Sequence, residues 1–273
     1  MGFRIGWVDE GGRGGSGRGW KMKIGKCKLC NQERELLNKS HVIPNSFFRA
    51  VMDENNSLIQ TSNLELRSGI EKPKKIFTGE FDKGILCSEC DNNVLGGLDK
   101  YGHKVFYAGF ASKKSSPEIR NVHNPQGSVY TIIKNVDYRK FKLFLLSILW
   151  RASISSRPFF KEVSLGPYEE ILRKMLFEQN PGKNNEFPIL IYMPHDKELN
   201  LKSINGPPRK FEFQNQSAYL FTINGFFFIY VVSVEKLDPS ILEFTVNTKN
   251  EFRIFHLPEG KSRDYILRFL NIK

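Results

Sequence analysis

The sequence predicts an α+β protein in which a small cysteine-containing module is followed by a larger domain with an antiparallel sheet. Three observations support this fold class. All four cysteines fall within one turn-rich segment of the first hundred residues. After that segment, stretches with helical periodicity alternate with strand-forming runs. Hydrophobic residues make up 40% of the 273 residues, which excludes a disordered chain and allows a sizeable core.

Composition divides the chain into three segments. Residues 1–21 contain "GGRGGSGRG", which lacks the side-chain volume to pack and predicts a flexible leader. Residues 22–110 hold every cysteine and form the predicted module. Residues 111–273 form the predicted C-terminal α+β domain, and no motif in this segment indicates its role.

Within the module, local patterns predict short strands and two helices. The runs "ELLNKSHVIP", "SLIQTS" and "EFDKGILC" predict strands, and "NSFFRAVMDE" predicts a short helix that starts after Pro44. The stretch "DNNVLGGLDKYGHKVFYAGF" predicts a second helix, with Asp91 as a candidate N-cap. Asp99 and His103, four residues apart on that helix, are expected to form a surface pair.

The C-terminal domain has stronger periodic signals. Apolar residues recur at helical spacing in "DYRKFKLFLLSILWRASIS", and "PYEEILRKMLFEQ" predicts a second helix. Three runs, "GSVYTIIKNV", "FPILIYMP" and "EFRIFHLP", predict strands, and "SRDYILRFLNI" predicts a closing helix. The segment "SAYLFTINGFFFIYVVSV" predicts a hairpin that turns at Asn224-Gly225, because this dipeptide favours the tightest hairpin turns.

Charge and hydropathy restrict the class of protein. No apolar run reaches the roughly 18–20 residues that span a bilayer, and the N-terminus lacks a signal-peptide layout, so we expect a cytoplasmic protein with no membrane partner. The net charge is +12, and basic segments bracket a locally acidic one. This distribution fits either a phosphate-binding rim around a cation site or a scattered basic surface. The same two interpretations apply to six basic residues: Lys113, Lys114, Arg120, Arg139, Lys140 and Lys142.

The four cysteines form two CxxC pairs, Cys27-Cys30 and Cys87-Cys90, which are separated by 56 residues. Each pair offers two thiolates from one turn, and two such knuckles complete a tetrahedral zinc site. Free buried thiols would rarely form two such pairs, and disulfides are not expected in an intracellular chain. The spacing therefore predicts a closed, structural zinc site without an open position for catalysis.

This zinc site affects the interpretation of His41 in "SHVIP". A lone histidine on a strand is usually a hydrogen-bonded core residue. Here four cysteines already fill the zinc shell, so His41 is not expected to be a ligand of that ion. The cysteine pairs should instead bring the His41 strand beside the Asp82 strand and the helix near Asp91.

The order of these motifs resembles the HNH nuclease family, whose sites have the ββα-metal (His-Me finger) fold. The matching residues are "CKLC", "SHVIP", "ILCSEC" and then Asp91, and they are especially similar to a small bacterial subgroup with Ser-His-Ile-Ile-Pro. The resemblance covers roughly residues 24–110. The resemblance implies hydrolysis of phosphodiester bonds in nucleic acid, with DNA as the expected substrate, and a catalytic Mg²⁺ or Mn²⁺ besides the structural zinc.

The resemblance also implies roles for individual residues. His41 matches the general base, which takes a proton from water at near-neutral pH. Asp91 matches the residue at the helix start that binds the catalytic ion. Asp82 lies near the position that orients the base. The first metal ligand of the family, an Asp, is replaced by Ser40, so the missing oxygen would come from one of three side chains: Glu80, Asp82 or Asn92.

Three functions are compatible with the sequence. The first is an active HNH-type endonuclease. The second is a catalytically weakened or inactive nucleic-acid-binding module that keeps the zinc-bound scaffold, as the Ser40 replacement suggests. In the third, the chain is a subunit that acts only with a protein partner or as a homo-oligomer through its C-terminal domain. A role in phage defence fits all three.

Overall fold

A computed structural model describes residues 23–49, 52–55, 57–60, 74–108, 117–123, 129–194, 205–233 and 237–257. The predicted leader and the predicted closing helix lie outside the described residues, as do Lys113 and Lys114. The described part is a mixed α+β structure, in agreement with the predicted fold class. In this part no helix is both long and apolar enough to cross a membrane.

The module begins with a two-stranded hairpin, β1 (Lys23–Lys26) and β2 (Glu33–Leu36), which are antiparallel. The first CxxC pair forms the turn between them. Asn31 closes this turn with a φ of 60°, a left-handed conformation that asparagine tolerates better than most residues. Two more short strands, β4 (Leu58–Gln60) and β5 (Lys74–Ile76), pair antiparallel with each other.

A second pair of short strands positions the candidate site. β3 (Ser40–His41) and β6 (Phe81–Asp82) are antiparallel, with Ser40 opposite Asp82 and His41 opposite Phe81. The predicted short helix follows Pro44 and spans Asn45–Arg49.

A helical segment at residues 89–108, called the site helix, starts directly from the second CxxC pair. It comprises π-helical Glu89–Leu95, α-helical Gly96–His103 and π-helical Lys104–Ala108.

The C-terminal domain is built on a seven-stranded sheet in the order β10-β11-β12-β9-β13-β8-β7. Neighbouring strands are antiparallel except for β13 and β9, which are parallel. The strands are β7 (Glu118–His123), β8 (Val129–Lys134), β9 (Ile189–Pro194), β10 (Gly206–Phe213), β11 (Gln216–Ile223), β12 (Phe226–Val231) and β13 (Glu251–Leu257). The predicted hairpin is confirmed: Asn224 and Gly225 both have positive φ, and they join β11 to β12.

Two of the three predicted helices of this domain are confirmed. The long helix spans Tyr138–Ser153, and its N-cap Asp137 accepts a hydrogen bond from the backbone N–H of Lys140. A second helix spans Tyr168–Phe177, with Pro167 at its N-cap position, and short helices cover Pro158–Phe160 and Pro239–Leu242.

The long helix connects the two predicted domains. It packs on the site helix, where Gly102 is required because a Cβ atom there would overlap the ring of Phe144. Buried residues of the module and of the C-terminal domain belong to one continuous hydrophobic core. Asn224, at the tip of the hairpin, donates a 2.6 Å hydrogen bond to the backbone carbonyl of Phe47. The C-terminal domain therefore holds the backbone of the module directly.

Candidate functional site

The cysteine cluster consists of Cys27, Cys30, Cys87 and Cys90, whose four sulfur atoms lie within 4.8 Å of one another. None of these cysteines is in a disulfide. A tetrahedral zinc site with Zn–S bonds of about 2.3 Å places its sulfur atoms about 3.8 Å apart, so the cluster is compatible with structural zinc. The two knuckles thus meet as the spacing predicts.

Backbone groups around Cys27 favour a thiolate. Burial acts to raise the pKa of Cys27, but hydrogen bonds from the backbone N–H groups of Cys30, Cys87 and Leu29 lower that pKa below its usual value. Because zinc binds the thiolate and not the thiol, these hydrogen bonds prepare the site for a metal ion. Arg173 of the C-terminal domain donates to the carbonyl of Leu29 and so holds this knuckle in place.

His41 is half-buried on β3 and is held by a short chain of polar side chains. Its Nε2 lies 2.9 Å from Thr78 Oγ1, and Thr78 Oγ1 donates a 3.3 Å hydrogen bond to Asn45 Oδ1. A hydroxyl has one proton to donate, so Thr78 accepts from His41 Nε2–H. In the neutral imidazole, the other nitrogen, Nδ1, then carries the lone pair that can accept a proton.

The protonation state of His41 follows from its surroundings. Burial, together with the positive charges of Lys39, Arg151 and Arg49, lowers the pKa of His41 to about 4. His41 is therefore neutral at pH 7. Lys39 and Arg49 are exposed, so the half-buried imidazole is flanked by cations that also face solvent.

Asp91 lies in the first turn of the site helix. Because that helix begins at Glu89, the prediction that Asp91 is its N-cap is wrong. Burial raises the pKa of Asp91 to about 6; the charge of Asp99 also raises it, while Arg151 and the Ser40 hydroxyl lower it. The Ser40–Asp91 contact falls outside normal hydrogen-bond geometry, so Ser40 Oγ is buried without a hydrogen-bond partner among the described residues.

A buried arginine of the long helix joins these elements. Arg151 forms a bidentate ion pair with Asp99, with Nη1–Oδ2 and Nη2–Oδ1 distances of 3.0 and 2.7 Å. Its Nη1 also donates a 3.1 Å hydrogen bond to the backbone carbonyl of His41, and Ser147 accepts further bonds. The predicted surface pair of Asp99 with His103 is therefore wrong, since Asp99 faces the C-terminal domain.

The other predicted oxygen donors have partners of their own. Asp82 is buried, and its carboxylate accepts bonds from the hydroxyl groups of Ser155 and Ser156 and from the backbone N–H of Ser156. In the β3–β6 register His41 shares its face with Phe81, so Asp82 points to the opposite face. The prediction that Asp82 orients the imidazole does not fit this geometry, and Thr78 holds the ring instead.

Glu80 and Asn92 are engaged elsewhere as well. Glu80 Oε2 lies 2.8 Å from Arg157 Nε in an ion pair. Asn92 is exposed, and its Nδ2 donates a 3.0 Å hydrogen bond to Ser88 Oγ one helical turn earlier. Neither residue makes up for the carboxylate that Ser40 lacks.

Lys142 is also not part of a phosphate-contacting face. Its side chain is buried in the long helix, where it donates hydrogen bonds to Tyr138 Oη and to the backbone carbonyl of Lys183. Burial lowers the pKa of Lys142 to about 7, against the opposing charge of Glu186. The prediction of a solvent-facing Lys142 is wrong because this position falls inside the apolar run.

Comparisons with known proteins do not identify a family for this chain. No family model, no curated protein and no solved structure matches the chain. The interpretation of the site therefore rests on its own geometry.

Ser40 and Asp91 can be tested against the needs of a catalytic cation. Mg²⁺ usually binds through one or two carboxylates, several waters and the phosphate of a substrate. A partly buried Asp91 carboxylate beside an unpartnered Ser40 hydroxyl meets the minimum of this requirement. Among the described residues, no group of three His, Asp or Glu side chains converges here, so the site offers few protein ligands.

Two residues of the site, Thr78 and Arg151, were not predicted from the sequence. Thr78 carries no local signal, because its contact with His41 crosses 37 residues. Arg151 does carry one: it follows Ser147 by one helical turn inside an otherwise apolar stretch, and a charge at such a position needs a buried partner.

Proposed function

We propose that the chain is a metal-dependent endonuclease of the HNH type that hydrolyses phosphodiester bonds in DNA. The observation that carries this proposal is a neutral imidazole, with Nδ1 as its proton acceptor, on β3 directly after Ser40, the residue whose hydroxyl interacts with Asp91. The cysteine cluster would hold a structural zinc that fixes the site helix against the hairpin.

In the proposed reaction, His41 acts as the general base. Nδ1 accepts a proton from a water molecule as the water oxygen attacks phosphorus, and the bond from phosphorus to the leaving oxygen breaks. Thr78 keeps Nε2–H engaged, so that the lone pair stays on Nδ1. The exposed charges of Lys39 and Arg49 attract the phosphate backbone to this face.

Asp91 and Ser40 are the residues that would hold a catalytic Mg²⁺ or Mn²⁺. Such an ion would supply Lewis-acid stabilisation of charge on the phosphate and on the leaving oxygen. At pH 7 Asp91 is mostly ionised, because its pKa of about 6 lies below the ambient pH, so the carboxylate is ready to bind a cation.

Plasmid nicking tests the proposal. The purified chain should convert supercoiled DNA to the open circle with Mg²⁺ or Mn²⁺, and His41→Ala should abolish nicking while its thermal unfolding stays near that of the parent. His123→Ala is the matched control, because His123 is exposed on the edge strand β7 of the C-terminal domain. Equal nicking by parent and His41→Ala would show that His41 is not the base.

A second function has a specific observation in its favour. Ser40 stands where the family has an Asp, and the three side chains that could replace that carboxylate have other partners, while Arg151 already supplies positive charge near Asp91; the three are Glu80, Asp82 and Asn92. This favours a nucleic-acid-binding module that has lost catalysis. Such a module would bind DNA without nicking it at any Mg²⁺ or Mn²⁺ concentration.

A further inference from the structure

Phe77 is an exposed aromatic residue next to the proposed site. Its side chain is 67% exposed, the largest such fraction for an aromatic residue among the described part of the chain. It immediately precedes Thr78, whose hydroxyl contacts the imidazole of His41. Phe77 therefore presents an open aromatic face one residue before the side chain that holds the imidazole.

Two cations lie close to Phe77 and His41 along the chain, Lys75 two residues before Phe77 and Lys39 two residues before His41. Lys75 and Lys39 are exposed, and Lys39 Nζ lies 4.8 Å from the ring centroid of Phe81, a cation–π distance. The Phe81 ring in turn meets His41 edge-on at 5.9 Å. The Phe81 ring thus already contacts an ammonium group, while the Phe77 ring is exposed.

Aromatic rings alternating with cations are the features that bind a single nucleic-acid strand. Cations follow the phosphates, and each exposed ring stacks on a base whose face is free. In a duplex the base faces are already stacked on one another, so an exposed ring gains little from a paired strand. The charge and the ring therefore favour an unpaired strand over a duplex.

We propose that Phe77 is a stacking platform for an unpaired base of single-stranded DNA, and that it places the adjoining phosphodiester at His41. This inference rests on the proposed nuclease function and adds to it a preference for unpaired bases, which a negatively supercoiled plasmid also exposes. Lys39 and Lys75 hold the backbone of the same strand.

Binding measured by fluorescence anisotropy tests the inference without relying on cleavage. The full chain, in buffer without added Mg²⁺ or Mn²⁺, is titrated onto three labelled probes: oligothymidylate, an abasic strand of equal length and a duplex. Phe77→Ala should weaken binding to oligothymidylate by about five-fold or more, as expected for the loss of one stacked base, and leave the abasic strand unchanged. Phe77→Trp should retain the parent affinity.

The chain offers a matched control in Phe177, an exposed phenylalanine (46%) at the end of helix Tyr168–Phe177. Phe177→Ala should leave all three affinities unchanged. Lys39→Ala should weaken the oligothymidylate and abasic strands alike, because it removes a phosphate contact.

The binding data distinguish failure of the stacking proposal from failure of the nuclease proposal. If Phe77→Ala binds oligothymidylate as the parent does, or loses the same factor on the abasic strand, the stacking role is overturned while the nuclease proposal stands. If the parent binds none of the three probes, both proposals are overturned.

Discussion

The cysteine cluster and the His41–Asp91 site are connected by the start of the site helix, yet they differ in how they are built. The cluster draws four ligands of one kind from two local turns, and every ligand is present. The His41–Asp91 site draws on the β3 strand, Thr78, the site helix and the long helix, and one of its polar atoms has no partner. The comparison separates a complete, locally encoded site from an open one assembled by tertiary contacts.

Removal of a cysteine should have the largest effect. Cys90→Ser is expected to reduce bound zinc from about one ion per chain to near zero and to lower the free energy of unfolding by about 5 kcal/mol or more, because zinc binding contributes to folding. Elemental analysis and urea denaturation measure the two quantities. Asp91→Asn, one residue further along, should keep its zinc. A Cys90→Ser protein with parental zinc and stability would contradict the assignment of the cluster.

The next effect tests whether the C-terminal domain is part of the site. Arg151→Met should cost about 3 kcal/mol of unfolding free energy, because it leaves the partly buried Asp99 carboxylate without its partner. The double variant Arg151→Met with Asp99→Asn should recover part of that loss. Arg209→Met is the control, since its ion pair with Glu162 is more exposed and contributes about 1 kcal/mol or less. Equal losses at Arg151 and Arg209 would refute the buried role.

The two titrating groups of the open site should oppose each other in the pH dependence of stability. The folded-state pKa of His41 is lowered from 6.5 to about 4, so its contribution is present above pH 6.5 and is lost as the pH falls towards 4. The pKa of Asp91 is raised from 3.8 to about 6, so its contribution is present below about pH 4 and is lost as the pH rises through 6. Between pH 5 and 7 the two contributions largely cancel in the parent.

Single variants should expose each contribution. Relative to the parent, Asp91→Asn should gain about 1 kcal/mol of unfolding free energy from pH 5 to pH 7, and His41→Gln should lose about 1–2 kcal/mol over the same range. Urea denaturation at the two pH values measures both, and the difference from the parent cancels any titration of the cysteines. Changes of the same sign in both variants would mean that one of the two environments is misassigned.

The smallest effect concerns the group that holds the imidazole. Thr78→Val removes the acceptor of Nε2–H, so both tautomers of His41 become accessible and nicking activity should fall about two- to ten-fold. Thr78→Ser keeps the hydroxyl and should retain parental activity. If Val and Ser behave alike in the nicking assay, the tautomer assignment is incorrect.

The contrast between the two regions also explains what the sequence could predict. CxxC spacing is a local signal, so the cluster of Cys27, Cys30, Cys87 and Cys90 was predicted in full. The long helix and the Asn224-Gly225 hairpin followed from periodicity and turn chemistry. The pairing of β3 with β6 was predicted as well, because the two knuckles bring these strands together.

The partners of His41 and Asp91 were not predictable in the same way. Asp82 lies beside β3 in the sheet, but strand alternation points its carboxylate to Ser155 and Ser156. Thr78 and Arg151 reach the site from distant positions in the chain, and single-sequence patterns do not specify such contacts. A site assembled by tertiary packing therefore requires the structure.

Binding of Mn²⁺ tests the central claim, that an open cation site lies beside the closed cysteine cluster. Electron paramagnetic resonance can follow a Mn²⁺ titration of the zinc-loaded chain, with zinc measured in the same samples. We expect the parent to bind one Mn²⁺ per chain in addition to its zinc, and Asp91→Asn to lose the Mn²⁺ while it keeps the zinc. A parent that binds zinc alone, or an Asp91→Asn variant that binds Mn²⁺ as the parent does, would contradict the account.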